Sequence, residues 1–143
     1  MNYGMMADEL FSIFEDGFKK YWRKLEREYM TPENLVLMKL ARSTDGIVYA
    51  GTLSSYIAVA TSRMAVILNQ LEKDGMIKRK IDEEDSRKRI VMATDKGRAR
   101  GVELLDEMRD RCACLLEGLG EEDALKFIDL QRKMAEVLEN NVE

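Results

Sequence analysis

Apolar residues near the start of the chain recur at intervals of three and four, which is the spacing of one face of an α-helix. The first such run covers residues 10–29 and predicts a long amphipathic helix. Thr31, Pro32 and Glu33 then supply an N-cap, a proline at the first helical position and an acid near the positive helix end. They predict a second helix ending at about Arg42, and its nearly all-apolar start indicates a central position in the fold.

Two shorter helices are predicted next, separated by a turn near Ala60. The first covers about residues 52–59, and the second runs from about Thr61 to Gly75, a residue suited to the left-handed position after a helix. One face of the second helix is apolar and is expected to be buried, through Met64, Ile67, Leu68 and Leu71. Two short helices joined by a tight turn, the second with a mostly polar outer face, predict a helix-turn-helix.

The helical spacing changes to an alternating one over residues 76–81 and 89–94. The apolar positions in these segments are Ile77, Ile81, Val91 and Ala93. Residues 82–88 between them are all polar or charged. The pattern predicts a β-hairpin with a charged tip, and residues 47–49 could form a further short extended segment.

Two long helices complete the predicted elements, one capped by Thr94 and ending near Gly118 or Gly120, the other starting at about Glu121. Seven of the ten aromatic residues fall within residues 1–29. One amphipathic helix needs fewer aromatic side chains to pack on a small core, so the surplus indicates a surface for a partner.

Length and composition predict one soluble globular domain over residues 1–143, at about 150 residues per domain. The longest uninterrupted apolar run covers residues 56–60, far below the roughly 18 residues of a membrane helix, so no membrane segment is expected. Asp8 and Glu9 lie where an export signal needs a basic stretch followed by an apolar one. We therefore expect a cytoplasmic protein.

Enzymatic chemistry is poorly represented in the sequence. The chain has no histidine, which removes the usual general base and the imidazole ligands of zinc. Cys112 and Cys114, two apart in a helical pattern, diverge by about 200° and are unsuited to a mutual disulfide. They are interpreted as ordinary small residues, with a redox switch as the alternative. The prediction is a protein without catalytic residues, metal or cofactor.

Charge is unevenly distributed along the chain. The net charge is −1 over residues 1–60, +4 over residues 61–100 and −7 over residues 101–143. A local basic segment can bind phosphate on an acidic protein, because acids beyond a Debye length of about 8 Å are screened. The alternative is an ordinary fluctuation of charge between segments.

The order of these parts resembles the MarR family of transcriptional regulators over nearly the whole chain. The most specific match is residues 69–77, Asn-Gln-Leu-Glu-Lys-Asp-Gly-Met-Ile, followed by an Asp-x-Arg wing at residues 85–87 and a Thr-x-x-Gly helix start at residues 94–97. Ala93 stands where the family motif has leucine. The resemblance implies a mostly α fold with a small β-hairpin wing, and a winged helix-turn-helix over residues 32–100. Dimerisation helices at residues 1–29 and 115–143 would flank this DNA-binding region.

The resemblance also implies a DNA-binding surface, which elementary chemistry supports. The candidates on the recognition helix are Thr61, Ser62, Arg63, Val66 and Gln70. A helix N-terminus presents free N–H groups to phosphates, and an arginine can pair bidentately with guanine in the major groove. In the wing, Arg87 matches the family's minor-groove arginine, with Asp85 holding either its guanidinium or the turn in shape, and Lys88 and Arg89 meeting phosphates. The alternatives are a solvated helix face and a solvated mixed-charge loop.

The function implied is a sequence-specific regulator, a ligand-responsive repressor, that binds a palindromic site on double-stranded DNA as a homodimer. The candidate lining of a cleft for a small aromatic ligand is Phe14, Phe18, Trp22, Met38 and Met108, which otherwise simply fill the core. The alternative function is a winged-helix module for protein contacts or for chromosome binding without sequence specificity.

Overall fold

The computed structural model describes residues 1–141. Its helices are α1 (Tyr3–Ile13), α2 (Lys19–Glu28), α3 (Pro32–Arg42), α4 (Ala50–Ile57), α5 (Thr61–Lys73), α6 (Asp95–Leu119) and α7 (Glu121–Asn141). Its strands are β1 (Val48–Tyr49), β2 (Ile77–Ile81) and β3 (Arg89–Ala93). The chain divides into two compact units, the first being Met1–Leu105 and the second starting at Asp106.

Helices in the first unit begin and end at residues whose chemistry suits a helix end. The Thr31 hydroxyl accepts a hydrogen bond from the Asn34 N–H at 3.3 Å, and Pro32 occupies the first position of α3. The predicted N-cap is thus confirmed. Gly75, with φ of 73°, follows α5 in the left-handed conformation, where a side chain would be strained.

The predicted long first helix contains an irregularity that its spacing did not indicate. Residues Phe14–Phe18, between α1 and α2, are π-helical. One extra residue per turn at such a place changes which side chains share a face on either side of it. The aromatic residues of α1 and α2 are therefore not on one continuous α-helical stripe.

The sheet is antiparallel and has the strand order β1, β3, β2. The sequence predicted the hairpin of β2 and β3, and the structure adds β1 as a third strand, with Val48 opposite Val91. Ile90 and Val91, adjacent residues of the central strand β3, are both buried. Ile77 is buried, but Ile81, the other apolar position predicted for this strand, is 54% exposed because it lies at the end of β2 next to the polar tip.

The hydrophobic core of the first unit is formed mainly by α3, α4, α5 and the sheet. The stripe predicted for α5 is buried as expected, and α3 contributes four buried side chains, Val36, Leu37, Met38 and Leu40. Burial of side chains of this size stabilises a fold by about 1.5–3 kcal/mol each. This core holds the outer face of α5 and the hairpin in fixed positions.

Among residues 1–141, no single helix is long and apolar enough to cross a membrane. The pair α4 and α5 reaches the required length and composition only when the two helices are counted together, and they are sharply bent relative to each other. Leu53, Met64 and Leu68 of this pair are buried in the core of the first unit.

Candidate nucleic-acid interface

Helices α4 and α5 meet at an angle of 112° across a short turn. Ala58 makes the turn in the left-handed conformation, with φ of 58°, and the Val59 N–H donates to the Ser54 carbonyl oxygen at 3.2 Å. Angles of about 90–120° across a short turn are typical of the helix-turn-helix that places its second helix in the DNA major groove. The predicted motif is therefore present, with α5 as its second helix.

The outer face of α5 is set by the burial of its inner face. Because the core holds the apolar stripe, all five candidate residues on the opposite side are exposed: Thr61, Ser62, Arg63, Val66 and Gln70. Val66 is 66% exposed, which is unusual for an apolar side chain on a polar face. An exposed methyl surface between polar side chains suits contact with the methyl group of thymine.

The N-terminal end of α5 is also suited to an anion. Ala60 is the N-cap, and its methyl side chain cannot accept a hydrogen bond from the first-turn N–H groups. These first-turn N–H groups form the positive end of the helix, next to the side chains of Thr61, Ser62 and Arg63. By contrast, the Thr31 hydroxyl at the start of α3 satisfies such a donor within the chain.

The hairpin tip displays Arg87, whose side chain is 89% exposed. The Asp85 carboxylate accepts from the Arg87 guanidinium, with Nε at 3.2 Å from Oδ1, and from the Arg87 backbone N–H at 3.1 Å. These bonds lower the pKa of Asp85, first through the Arg87 side chain and then through its backbone. The contact expected between these two residues is present, and it presents the guanidinium outward from the tip.

A second pair of residues, which sequence reasoning missed, ties the tip to β1. The Tyr49 hydroxyl donates to Oδ2 of Asp82 at 2.7 Å, while Oδ1 of Asp82 accepts from the Glu84 N–H at 2.7 Å. The Lys88 ammonium lies 5.1 Å from the centre of the Tyr49 ring. The aspartate at the start of the polar tip was a signal for a turn, but its tyrosine partner lies 33 residues earlier in the chain.

No family model and no curated protein sequence matches the chain. Several solved structures do. YusO from Bacillus subtilis is 22% identical, with 91% of this chain and 97% of that chain covered and a TM-score of 0.67. The PcaV transcriptional regulator from Streptomyces coelicolor is 20% identical, with 98% and 99% covered and a TM-score of 0.64.

A third solved structure decides the fold. It is a MarR family transcription regulator that is 16% identical, with 96% of this chain and 95% of that chain covered and a TM-score of 0.75. The chain has the MarR fold. The predicted fold class, mostly α with a small β wing, is thereby confirmed. At these identities the likeness concerns the fold, and function has to be argued from the site.

Within the MarR fold, Arg79 of β2 joins the hairpin to α5. Its Nη2 donates to Oδ1 of Asn69 at 2.7 Å and to Oε1 of Glu72 at 2.9 Å, and its Nε donates to Oε2 of Glu72 at 3.2 Å. Sequence reasoning missed this contact too. The only indication of this contact in the sequence was that the end of α5 is close to β2 along the chain, across the turn at Gly75.

The five residues proposed to line a ligand cleft are distributed over the MarR fold. Phe14, Phe18 and Trp22 form a ladder, with ring centres 6.1 Å apart for the first pair and 5.9 Å for the second. Their side chains remain 41%, 50% and 38% exposed. Met38 is buried in the core of the first unit, and Met108 lies on α6 in the second unit.

Proposed function

We propose that this protein is a sequence-specific DNA-binding transcriptional regulator that acts as a homodimer on a palindromic operator. The observation that carries the proposal is the exposed, mostly polar outer face of α5, together with the hairpin that follows it, on which Arg87 is exposed and donates to the Asp85 carboxylate. The similarity in fold to the PcaV transcriptional regulator supports this function. We further propose that the protein is a ligand-responsive repressor acting in the cytoplasm.

The recognition helix is proposed to determine sequence preference. Arg63 lies on the exposed first turn of α5, where a guanidinium can donate two hydrogen bonds to guanine. Such a pair gives about 1–3 kcal/mol of discrimination between bases. Val66 and Gln70 lie one and two turns further along the same face, in reach of a thymine methyl group and of a base edge or phosphate.

The wing is proposed to supply affinity and register. Arg87 would enter the minor groove, where the negative potential of DNA is strongest over narrow segments. Lys88 and Arg89 would contact phosphates on either side. Residues 61–100 carry a net charge of +4, so this segment attracts DNA although the protein as a whole is acidic.

A dimer is proposed because both ends of the chain carry apolar side chains that a single chain leaves exposed. On the first helices these are Tyr3, Met5, Met6, Leu10, Phe11 and Ile13, and on α7 they are Leu125, Phe127, Ile128, Leu130, Met134, Val137 and Leu138. Exposed apolar surface of this extent is typical of a protein interface. A twofold dimer would place two recognition helices about 34 Å apart, as an inverted repeat requires.

The aromatic ladder at Phe14, Phe18 and Trp22 is proposed to bind a small aromatic ligand. The Phe18 and Trp22 rings are stacked and the Phe14 ring is tilted against Phe18, and partly exposed aromatic rings of this kind suit a planar apolar molecule. Such a ligand regulates DNA binding only if it favours one spacing of the two recognition helices, because equal affinity for both arrangements shifts nothing.

The deciding experiment is a search for an inverted repeat in the DNA beside the coding region, followed by nuclease protection with the purified protein. We expect a protected palindrome bound some 10³-fold tighter than random DNA at fixed salt, by a species whose mass in solution is that of a dimer. Equal affinity for all sequences would instead support the winged-helix module without sequence specificity.

A further inference from the structure

The guanidinium of Arg79 donates three hydrogen bonds to two residues of the recognition helix. Three short hydrogen bonds, of 2.7, 2.9 and 3.2 Å, connect it to Asn69 and Glu72, which lie one turn apart on α5. The pairing with Glu72 is bidentate, which fixes the angle as well as the distance between the two groups. The contact spans the turn at Gly75 and joins the exposed end of α5 to the strand that leads into the wing.

The position of Arg79 on β2 separates it from the basic residues proposed to contact DNA. Arg79 shares a strand face with the buried Ile77, whereas Lys78 and Lys80 on the other face are exposed. Only 27% of the Arg79 side chain is exposed, against 89% for Arg87. The hydrogen bonds to Arg79 lower the pKa of Glu72, and those to Glu72 raise the pKa of Arg79, so both are charged at neutral pH.

We infer that Arg79 is a positioning residue that, through Asn69 and Glu72, sets the orientation of the wing relative to the recognition helix. The inference rests on the proposed function. Arg63 on α5 and Arg87 on the wing have to reach two different grooves of one DNA duplex together. The Arg79 bridge pre-organises them, so less conformational freedom is lost on binding.

Neutralising Glu72 is expected to change DNA affinity in opposite directions, according to whether Glu72 positions Arg79 or acts only through its charge. Replacing an acid near the DNA-binding surface by a neutral residue strengthens DNA binding if only the overall charge matters, because repulsion from phosphates is removed. If Glu72 acts by holding Arg79, the same replacement weakens binding. Glu72→Gln exchanges one acceptor oxygen for an amide group that cannot accept from the guanidinium.

The experiment measures the affinity of the full-length dimer for the protected palindrome and for random DNA of the same length. Glu72→Gln is expected to reduce affinity for the palindrome about fivefold, the scale of one partly exposed ion pair. The matched control is Glu83→Gln on the exposed hairpin tip, which removes the same charge and is expected to leave binding unchanged or slightly stronger. Equal strengthening by both variants would overturn the inference.

A second measurement separates Arg79 from a phosphate contact. Arg79→Gln is expected to weaken palindrome binding about as much as Glu72→Gln, but to leave the dependence of log affinity on log salt unchanged. Lys88→Ala is expected to reduce that slope by roughly one. The double variant should bind like either single variant, because both remove one bridge. A reduced slope for Arg79→Gln, or additive losses, would show that Arg79 meets DNA directly.

Failure of the inference is distinguishable from failure of the proposed function. If the wild-type protein does not prefer the palindrome to random DNA, the proposed function is wrong. If the wild type does prefer it and the Glu72→Gln variant binds at least as tightly, the regulator stands and the positioning role of Arg79 is wrong.

Discussion

Gly97 on α6 lies directly against the main-chain carbonyl of Met76, at the start of β2. A Cβ atom at Gly97 would overlap the Met76 carbonyl oxygen and lie 2.8 Å from its carbonyl carbon. The same oxygen accepts from the Thr94 N–H at 3.0 Å, and the Thr94 hydroxyl accepts from the Gly97 N–H at 3.1 Å. The Thr-x-x-Gly sequence therefore joins the start of α6 to the base of the hairpin, and the glycine is required by space.

Gly97→Ala is expected to destabilise the fold by about 2–4 kcal/mol, because the added methyl group forces the helix away from the hairpin. Gly51→Ala on α4 is the matched control, since a Cβ there meets open space. It should be neutral or stabilising by up to about 1 kcal/mol. Urea unfolding of both variants measures the difference. An unaltered midpoint for Gly97→Ala would contradict the close approach.

Arg87→Ala is expected to weaken operator binding at least tenfold, because the hairpin loses the side chain proposed to enter the minor groove. Thermal stability should stay near that of the wild type, since the Arg87 side chain is almost wholly exposed. Gel-shift titration and thermal melting of the same preparation check both expectations. Wild-type affinity at physiological salt would show that the wing does not bind DNA.

Arg63→Ala is expected to relax the preference at one base pair in each half-site, by about 1–3 kcal/mol. The variant removes the contact with one base that is proposed for Arg63 and leaves the other proposed contacts in place. Binding to a library of operator variants measures the preference position by position. A uniform loss over all variants would instead assign Arg63 to a phosphate.

Asp82→Asn is expected to lower the pKa of Tyr49, because the hydrogen bond to Asp82 and then its negative charge raise that pKa above 10.0. In the wild type this contact stabilises the folded protein below pH 10.0 and is lost as pH rises through the folded pKa. The pH dependence of the Asp82 contribution has the opposite sign. The pKa of Asp82 lies below 3.8, chiefly through the Tyr49 hydroxyl, so its contribution to stability is present above pH 3.8 and is lost as pH falls through the folded pKa.

The Tyr49 titration can be isolated by following tyrosinate absorbance in the wild type and in Tyr49→Phe and taking the difference. Repeating the pair of measurements in the Asp82→Asn background gives the shift. Glu83→Gln is the control and should leave the Tyr49 titration where it is. An unshifted titration in Asp82→Asn would mean that the hydrogen bond is absent in solution.

A hydrophobic aromatic acid that binds at the Phe14, Phe18 and Trp22 ladder is expected to quench Trp22 fluorescence and to lower operator affinity over the same concentration range. Trp22 is the only tryptophan in the chain, so the signal has one source. Phe18→Leu, which removes the ring stacked on Trp22, should weaken both effects together. Quenching without any change in operator binding would contradict ligand control.

Much of the fold could be predicted from the sequence because its signals are local. The buried stripe of α5, the Thr31 cap of α3 and the polar tip of the hairpin all depend on residues within a few positions of one another. The contact between Asp85 and Arg87 is of the same kind, since the two are two residues apart. Spacing therefore indicates the helix-turn-helix and the β-hairpin, whereas the residues expected to contact DNA were assigned through the resemblance to the MarR family.

Tertiary structure decided the contacts between residues that are distant in the sequence or belong to different helices and strands. Tyr49 reaches Asp82 only because β1 pairs with β3, and Gly97 is required only because α6 crosses the base of the hairpin. Arg79 reaches Glu72 because the chain reverses at Gly75. Periodicity reports which face of an element is buried, whereas the neighbour that it meets depends on how the elements pack in three dimensions.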